Sequence, residues 1–186
     1  AAYPPPAVPP CERVPDAYFD DAVLIGCSLM TGVELSGCID HATFVARIGM
    51  SPKGAMNNKN FPSGDQYLTM ADTVINLTPG KLYIMLGSNG VDIKRPADVL
   101  AEMNELLNYL ITALPDTLIC LISIPPVTPK VRERYPYLTE TKVAAYNRGL
   151  EELAALHGIY FLNVYALLAD ENGQTLGKYA ADDGYH

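Results

Sequence analysis

Short apolar runs recur along the chain with polar or amphipathic stretches between them: AVLIG from Ala22, TFVARIG from Thr43, KLYIMLG from Lys81, TLICLIS from Thr117 and IYFLNV from Ile159. Their length and their aliphatic, β-branched and aromatic content predict five strands. Between the third and fourth runs, Val99, Met103, Leu106, Leu110 and Leu114 fall three or four residues apart, which places them on one helix face, and Pro96 suits a first helical turn. Between the fourth and fifth, Val143, Tyr146, Leu150 and Leu153 repeat the pattern, with Gly158 positioned as a C-terminal cap. Near-continuous apolar strands alternating with helices predict a parallel sheet covered on both faces, an α/β fold of the three-layer α/β/α sandwich type with about five parallel strands. Ligands of such sheets meet the C-terminal ends of the strands. Gly26, Gly49, Gly87 and Ser123 are expected to close four of them, and the stretches 51–66 and 125–138 are long enough to be irregular binding loops.

Composition narrows this picture. A chain of 186 residues, 49% hydrophobic and 18% charged, is expected to form one domain with a sizeable core. The first 15 residues, AAYPPPAVPPCERVP, hold 6 of the 15 prolines and exclude a helix or central strand, so residues 1–17 are expected to be a linker or surface strap and residues 18–186 the domain proper. Such a start suits a mature protein whose export signal has been removed, and the expected location is outside the cell or on its surface. The net charge of −8 disfavours nucleic acid and anionic membranes as partners. No apolar run approaches the roughly 20 residues of a membrane span. Cys11, Cys27, Cys38 and Cys120 show no metal-site spacing; four cysteines permit three full pairings, and buried free thiols are the expected state.

Candidate chemistry begins at DDAVLIGCSLMTGVE, where a buried strand reaches Gly26-Cys27-Ser28 and turns into a helix. A serine there is commonly an N-cap; it is a nucleophile only if a base reaches it. Of the three histidines, His157 precedes the Gly158 cap and His41 precedes a strand with no evident partner. In DDGYH, Asp183 lies three residues before His186, a spacing at which a carboxylate can hold an imidazole tautomer. In IMLGSNG, Asn89 follows the middle strand; it suits an ordinary Asn-Gly turn, and equally an amide that donates to a developing oxyanion. No dinucleotide fingerprint or P-loop follows the first strand, which counts against a nucleotide or flavin protein.

The order Ser28, Gly49, Asn89, then Asp183 and His186 resembles the SGNH hydrolase family, also called the GDSL-type esterase/lipase family, over nearly the whole chain after Tyr18. The resemblance implies a flavodoxin-like sandwich with Ser28 as nucleophile, His186 as general base, Asp183 as its orienting carboxylate, and Ser28, Gly49 and Asn89 as oxyanion donors. Cys27 stands where the family usually has Asp, and Gly90 where its third block usually has a second Asp. Family members commonly continue past the histidine into a closing helix, so the resemblance implies chain beyond His186.

Cys27 is the rival nucleophile, but adjacent side chains at a corner point to different sides and only one can face His186. The resemblance selects Ser28 and leaves Cys27 as a packed neighbour. The implied activity is hydrolysis of small carboxylic esters through an acyl-enzyme, without a cofactor or metal. Asn57, Asn58, Asn60 and Gln66 in one loop and Lys130, Arg132, Arg134, Tyr135 and Tyr137 in the other would suit short-acyl esters on carbohydrate. Lysophospholipids or thioesters are the runner-up substrates, and a catalytically silent carbohydrate-binding protein on the same fold is the non-enzymatic alternative.

Overall fold

In the computed structural model, which describes residues 8, 9 and 11–179, all five apolar runs become strands of one sheet. In chain order the elements are β1 (Ala22–Gly26), α1 (Ser28–Ser36), β2 (Thr43–Ala46), α2 (Pro52–Asn57), β3 (Phe61–Ser63), β4 (Gln66–Leu68) and α3 (Met70–Leu77). They continue as β5 (Lys81–Met85), α4 (Ser88–Ile93), α5 (Pro96–Ala113), β6 (Leu118–Ile122), α6 (Glu140–His157), β7 (Tyr160–Leu162) and α7 (Val164–Leu168). The sheet order is β2-β1-β5-β6-β7, every pair parallel, with Gly26 level with Ala46 on one side and Met85 on the other.

Strand side chains alternate between the faces, and the two faces bury different sets. Val23 and Ile25 join Leu82, Ile84, Leu121 and Phe161 under α3, α5 and α6, which contribute Val74, Met103, Leu107, Leu110, Tyr146 and Leu150. Ala22 and Leu24 face the other way with Met85 and Ile122, against Met30 of α1. Right-handed crossovers explain the split. The step from β1 out to β2 carries α1 over one face, whereas every later step runs the opposite way along the sheet and carries its helices over the other. Burying each of these aliphatic side chains contributes roughly 1.5–3 kcal/mol, so the α5/α6 face dominates the core. Beyond α1, the second face lies under residues 8, 9 and 11–19: Val8 N–H donates to Phe161 O at 2.9 Å, and Val14, Tyr18 and Phe19 face Leu24, Tyr83 and Leu162 around a cavity of about 430 Å³.

Local sequence explains the helix ends. Pro96 occupies the first turn of α5; Thr139 Oγ1 accepts from Lys142 N–H at 3.3 Å to start α6, and Gly158, at φ 65°, ends it. The expectation for 51–66 needs correction: it holds α2, begun by Ser51 and Pro52, and an antiparallel hairpin pairing Phe61 with Leu68. Six helical residues are too few to show a period, and the hairpin's mostly exposed residues have no reason to alternate. The 125–138 stretch carries a 3-10 turn at Pro129–Glu133. Gly49 does not close β2, which stops at Ala46. The cysteine expectation also changes: Cys27 and Cys120 are buried, but Cys11 and Cys38 are exposed, and all four are free thiols here. Among the described residues no helix is long and apolar enough to cross a membrane.

The packing of α6 on α5 predicts a pH dependence. His157 Nε2 lies 2.6 Å from Asn104 Oδ1, an acceptor, so the neutral imidazole donates there, and burial lowers its pKa below the usual 6.5. Its stabilising contribution is complete above pH 6.5, where it is neutral in both states, and is lost as pH falls through the lowered folded value. His41, raised by its hydrogen bond with Asp20, acts in the opposite sense. In urea unfolding, the stability difference between the parent and His157→Gln should shrink as pH falls below 6.5; a difference independent of pH would contradict the assignment.

Candidate active site

β1 and β5 are neighbours whose chains leave toward opposite faces, β1 into α1 and β5 into α4 and α5. Their C-terminal ends are therefore the switch point of the sheet, the usual binding place of a doubly wound fold. Cys27 is the extended N-cap residue of α1, and Ser28 is the first helical residue, half-buried at the helix end where backbone N–H groups favour negative charge. The Cys27 side chain turns inward. It is fully buried, and its Sγ lies 3.4 Å from the hydroxyl of Ser88, which is itself buried. A thiol with no exposed surface cannot attack an incoming ester, so the geometry weighs against Cys27 as nucleophile.

The second wall starts after β5. Gly87 adopts φ 125°, and a Cβ on it would lie 2.2 Å from Tyr146 Oη; both the backbone angle and the contact require glycine. Tyr146 reaches up from α6 and donates to Leu86 O at 3.0 Å. Burial pushes its phenol pKa up, with Cys27 and Glu102 adding to the shift, so it remains a protonated donor. At the far end of α4, Lys142 Nζ donates to the carbonyls of Val91 at 3.0 Å and Asp92 at 3.1 Å. Asn89, half-buried in the first turn of α4, donates from Nδ2 to Met50 O at 3.2 Å. An amide nitrogen carries two hydrogens, so this bond fixes the amide plane and leaves the second donor to point elsewhere.

The third wall is the turn from Arg47 to Met50, closed by Met50 N–H to Arg47 O at 3.1 Å and joined to the end of β1 by Arg47 N–H to Gly26 O at 3.1 Å. Gly49 sits in it at φ 78°, and its own N–H is not the one that closes the turn. The turn is thus bonded to the Ser28 corner on one side and to Asn89 on the other. Ser28, Gly49 and Asn89 come together at one end of the sheet. Asp183 and His186 lie outside the described residues. The last described stretch is tied to the same end, since Thr175 Oγ1 donates to Pro126 O at 2.7 Å in the loop after β6.

The remaining histidines are at the wrong end. His41 Nδ1 and Asp20 Oδ1 are 2.5 Å apart and resemble a catalytic pair, but Asp20 precedes β1 and His41 precedes β2. In a parallel sheet that is the N-terminal edge, separated from Ser28 by the length of β1, roughly 16 Å at ~3.3 Å per residue. His157 ends α6 just before β7 and lies at the same edge. Several loop residues offered for substrate are otherwise engaged: Asn57 Nδ2 donates to Lys53 O at 2.9 Å, Arg132 pairs with Glu140 at 2.5 Å, and Arg134 stacks on Tyr135.

Sequence reasoning missed Ser88 and Tyr146 as parts of this site. Tyr146 was visible only as one apolar position of a helix stripe; a tyrosine on a core face carries a hydroxyl that must find a partner, and that is the signal that was there to read. Ser88 carries no comparable mark.

The model of the GDSL-like lipase/acylhydrolase family matches residues 50–186. The matched span contains Asn89, Asp183 and His186 and begins one residue after Gly49, leaving Ser28 outside it. No curated protein matches the chain at the sequence level. Among solved structures, a GDSL-like lipase from Bacteroides thetaiotaomicron aligns with TM-score 0.66 and 20% identity over 89% of this chain and 78% of its own. A carbohydrate esterase family 3 protein from Talaromyces cellulolyticus aligns with TM-score 0.58 and 17% identity over 89% and 87%. A carbohydrate acetylesterase from Sinorhizobium meliloti aligns with TM-score 0.53 and 15% identity over 78% and 84%. At these identities the likeness is one of fold.

Gly87→Ala combines a strained backbone with a clash against Tyr146 and should cost about 2–4 kcal/mol of unfolding free energy. Tyr146→Phe removes the bond to Leu86 O and should cost about 1–3 kcal/mol. Urea titrations read both; an unchanged midpoint for Gly87→Ala would refute the packing described.

Proposed function

The chain belongs to the GDSL-like lipase/acylhydrolase family, and from that membership we propose that it is a serine esterase that cleaves short-acyl esters, acetyl esters of carbohydrates first among them. The observation that carries this reading is the meeting of Ser28, Gly49 and Asn89 at the switch point of the sheet, with hydrogen bonds linking the three segments that bear them.

In the proposed reaction His186 takes the hydroxyl proton of Ser28 as Oγ attacks the ester carbonyl, and Asp183 holds the imidazole in the tautomer that can accept it. The carbonyl π pair moves onto oxygen. The backbone N–H groups of Ser28 and Gly49 and the second Nδ2 hydrogen of Asn89 receive that charge. Collapse of the tetrahedral intermediate expels the alcohol, which takes the proton from His186 and leaves an acyl-Ser28. Water, deprotonated by His186, attacks the acyl group; the second tetrahedral intermediate collapses, breaking the bond to Ser28 Oγ, which takes the proton back from His186 as the acid leaves. Each step is a proton or acyl transfer between named groups and needs no cofactor.

The carbohydrate part of the proposal draws on the amides of Asn58 and Asn60 between α2 and the β3–β4 hairpin and of Gln66 at the start of β4, and on neighbours of the same fold that are a carbohydrate esterase and a carbohydrate acetylesterase. A panel of p-nitrophenyl esters of increasing acyl length, with acetylated sugars beside it, tests it. Activity confined to short acyl groups and acetylated sugars is the expected result; preference for long-chain lysophospholipids or thioesters would replace the substrate and keep the mechanism.

Ser28→Ala should remain folded and lose about a millionfold in turnover, with His186→Ala close behind. Asn89→Ala should lose about a hundred- to a thousandfold as one oxyanion donor disappears. His41→Ala and His157→Ala, changed at the opposite edge of the sheet, should keep parental turnover. Normal hydrolysis by folded Ser28→Ala protein would sink the assignment.

A further inference from the structure

A side-chain hydrogen bond joins the corner bearing Ser28 to the corner bearing Asn89. It is the contact of Cys27 Sγ with Ser88 Oγ, 3.4 Å across the switch point, between residues 61 apart in sequence. Both groups are buried, Cys27 at 0% and Ser88 at 1% exposure, so neither meets substrate. Each immediately precedes a proposed working residue, Cys27 before Ser28 and Ser88 before Asn89. We propose that Cys27 and Ser88 are positioning residues whose buried thiol–hydroxyl contact sets the separation between the nucleophile and the Asn89 oxyanion donor. The proposal rests on the esterase reading above and deepens it.

The physical case has three parts. First, the sheet does not hold this separation by itself: β5 ends at Met85, β1 ends at Gly26, and the two chains diverge from there to opposite faces. Second, a buried hydroxyl keeps a partner because losing it leaves a desolvated polar group. Removing the Cys27 sulfur therefore leaves Ser88, the first residue of α4, to turn in search of another partner. Third, Asn89 is next in the chain, and its anchor on Met50 O, at 3.2 Å, is at the long end of the hydrogen-bond range. A small rotation of the start of α4 breaks that anchor and re-aims the donor. A donor displaced from the oxyanion weakens the transition state more than bound substrate, so the loss belongs in kcat.

The test is a cycle of Cys27→Ala, Ser88→Ala and the double variant, assayed on p-nitrophenyl acetate with thermal melts alongside. Each single change is expected to lower kcat about three- to tenfold at unchanged KM. The double variant should fall no further than the worse single, because both remove one interaction. Cys27→Ser, which keeps a donor and acceptor facing Ser88, should recover most of the loss. A purely structural role would lower the melting temperature and leave kcat alone, and that result overturns the proposal, as does full multiplication of the two losses in the double variant. Ser28→Ala and labelling by a serine-directed phosphonate separate this failure from that of the esterase reading. A parent that hydrolyses ester and is labelled on Ser28, beside Cys27 and Ser88 variants of parental kcat, refutes the positioning role alone. A parent inert to both ester and phosphonate refutes the two together.

Discussion

The site depends on a divergence in the sheet. β1 and β5 run side by side and level at Gly26 and Met85, and their continuations then leave for opposite faces because the chain reverses its direction of travel across the sheet between them. Backbone pairing ends where the two corners begin. Beyond that point the start of α1 and the start of α4 face each other, Cys27 buried against Ser88 and the half-buried Ser28 and Asn89 next in each chain.

Holding the two helix starts in place falls to groups outside the sheet ladder. Tyr146 holds Leu86 from below and fills the space that a side chain on Gly87 would need. Lys142 holds the other end of α4 by two carbonyls. Met50 O orients Asn89, and Arg47 N–H ties the same turn back to Gly26. Both anchors on β5's corner, Tyr146 and Lys142, come from α6, the helix buried most deeply against α5, so the corner inherits the rigidity of the largest part of the core. Cys27 packs within this scaffold, its side chain without exposed surface. A thiol is a weak donor and behaves mainly as a small hydrophobe, and it sits among apolar neighbours with one hydroxyl in reach.

Sequence legibility varied with the range of the interaction. The five strands, the α5 and α6 stripes and the Pro96 and Gly158 helix ends were readable because burial in a regular element repeats at the period of that element. That Ser28, Gly49 and Asn89 each follow a different strand of the sheet was readable from the order of the apolar runs. The α2–β3–β4 segment was not, being short and largely exposed, and His41 offered no hint of Asp20, which lies 21 positions away.

By itself, then, the amino-acid order determined the five strands of the sheet, their parallel arrangement and the two long helices, since each is a matter of local periodicity, turn chemistry and crossover handedness. The tertiary structure alone decided which strand ends touch. Cys27 meets Ser88 across 61 positions, Tyr146 meets Leu86 across 60 and Asn89 meets Met50 across 39. The same fold also put the His41–Asp20 pair at the edge away from Ser28. Such contacts follow from strand order and register, which belong to the packed sheet as a whole and leave no periodic trace in any one segment.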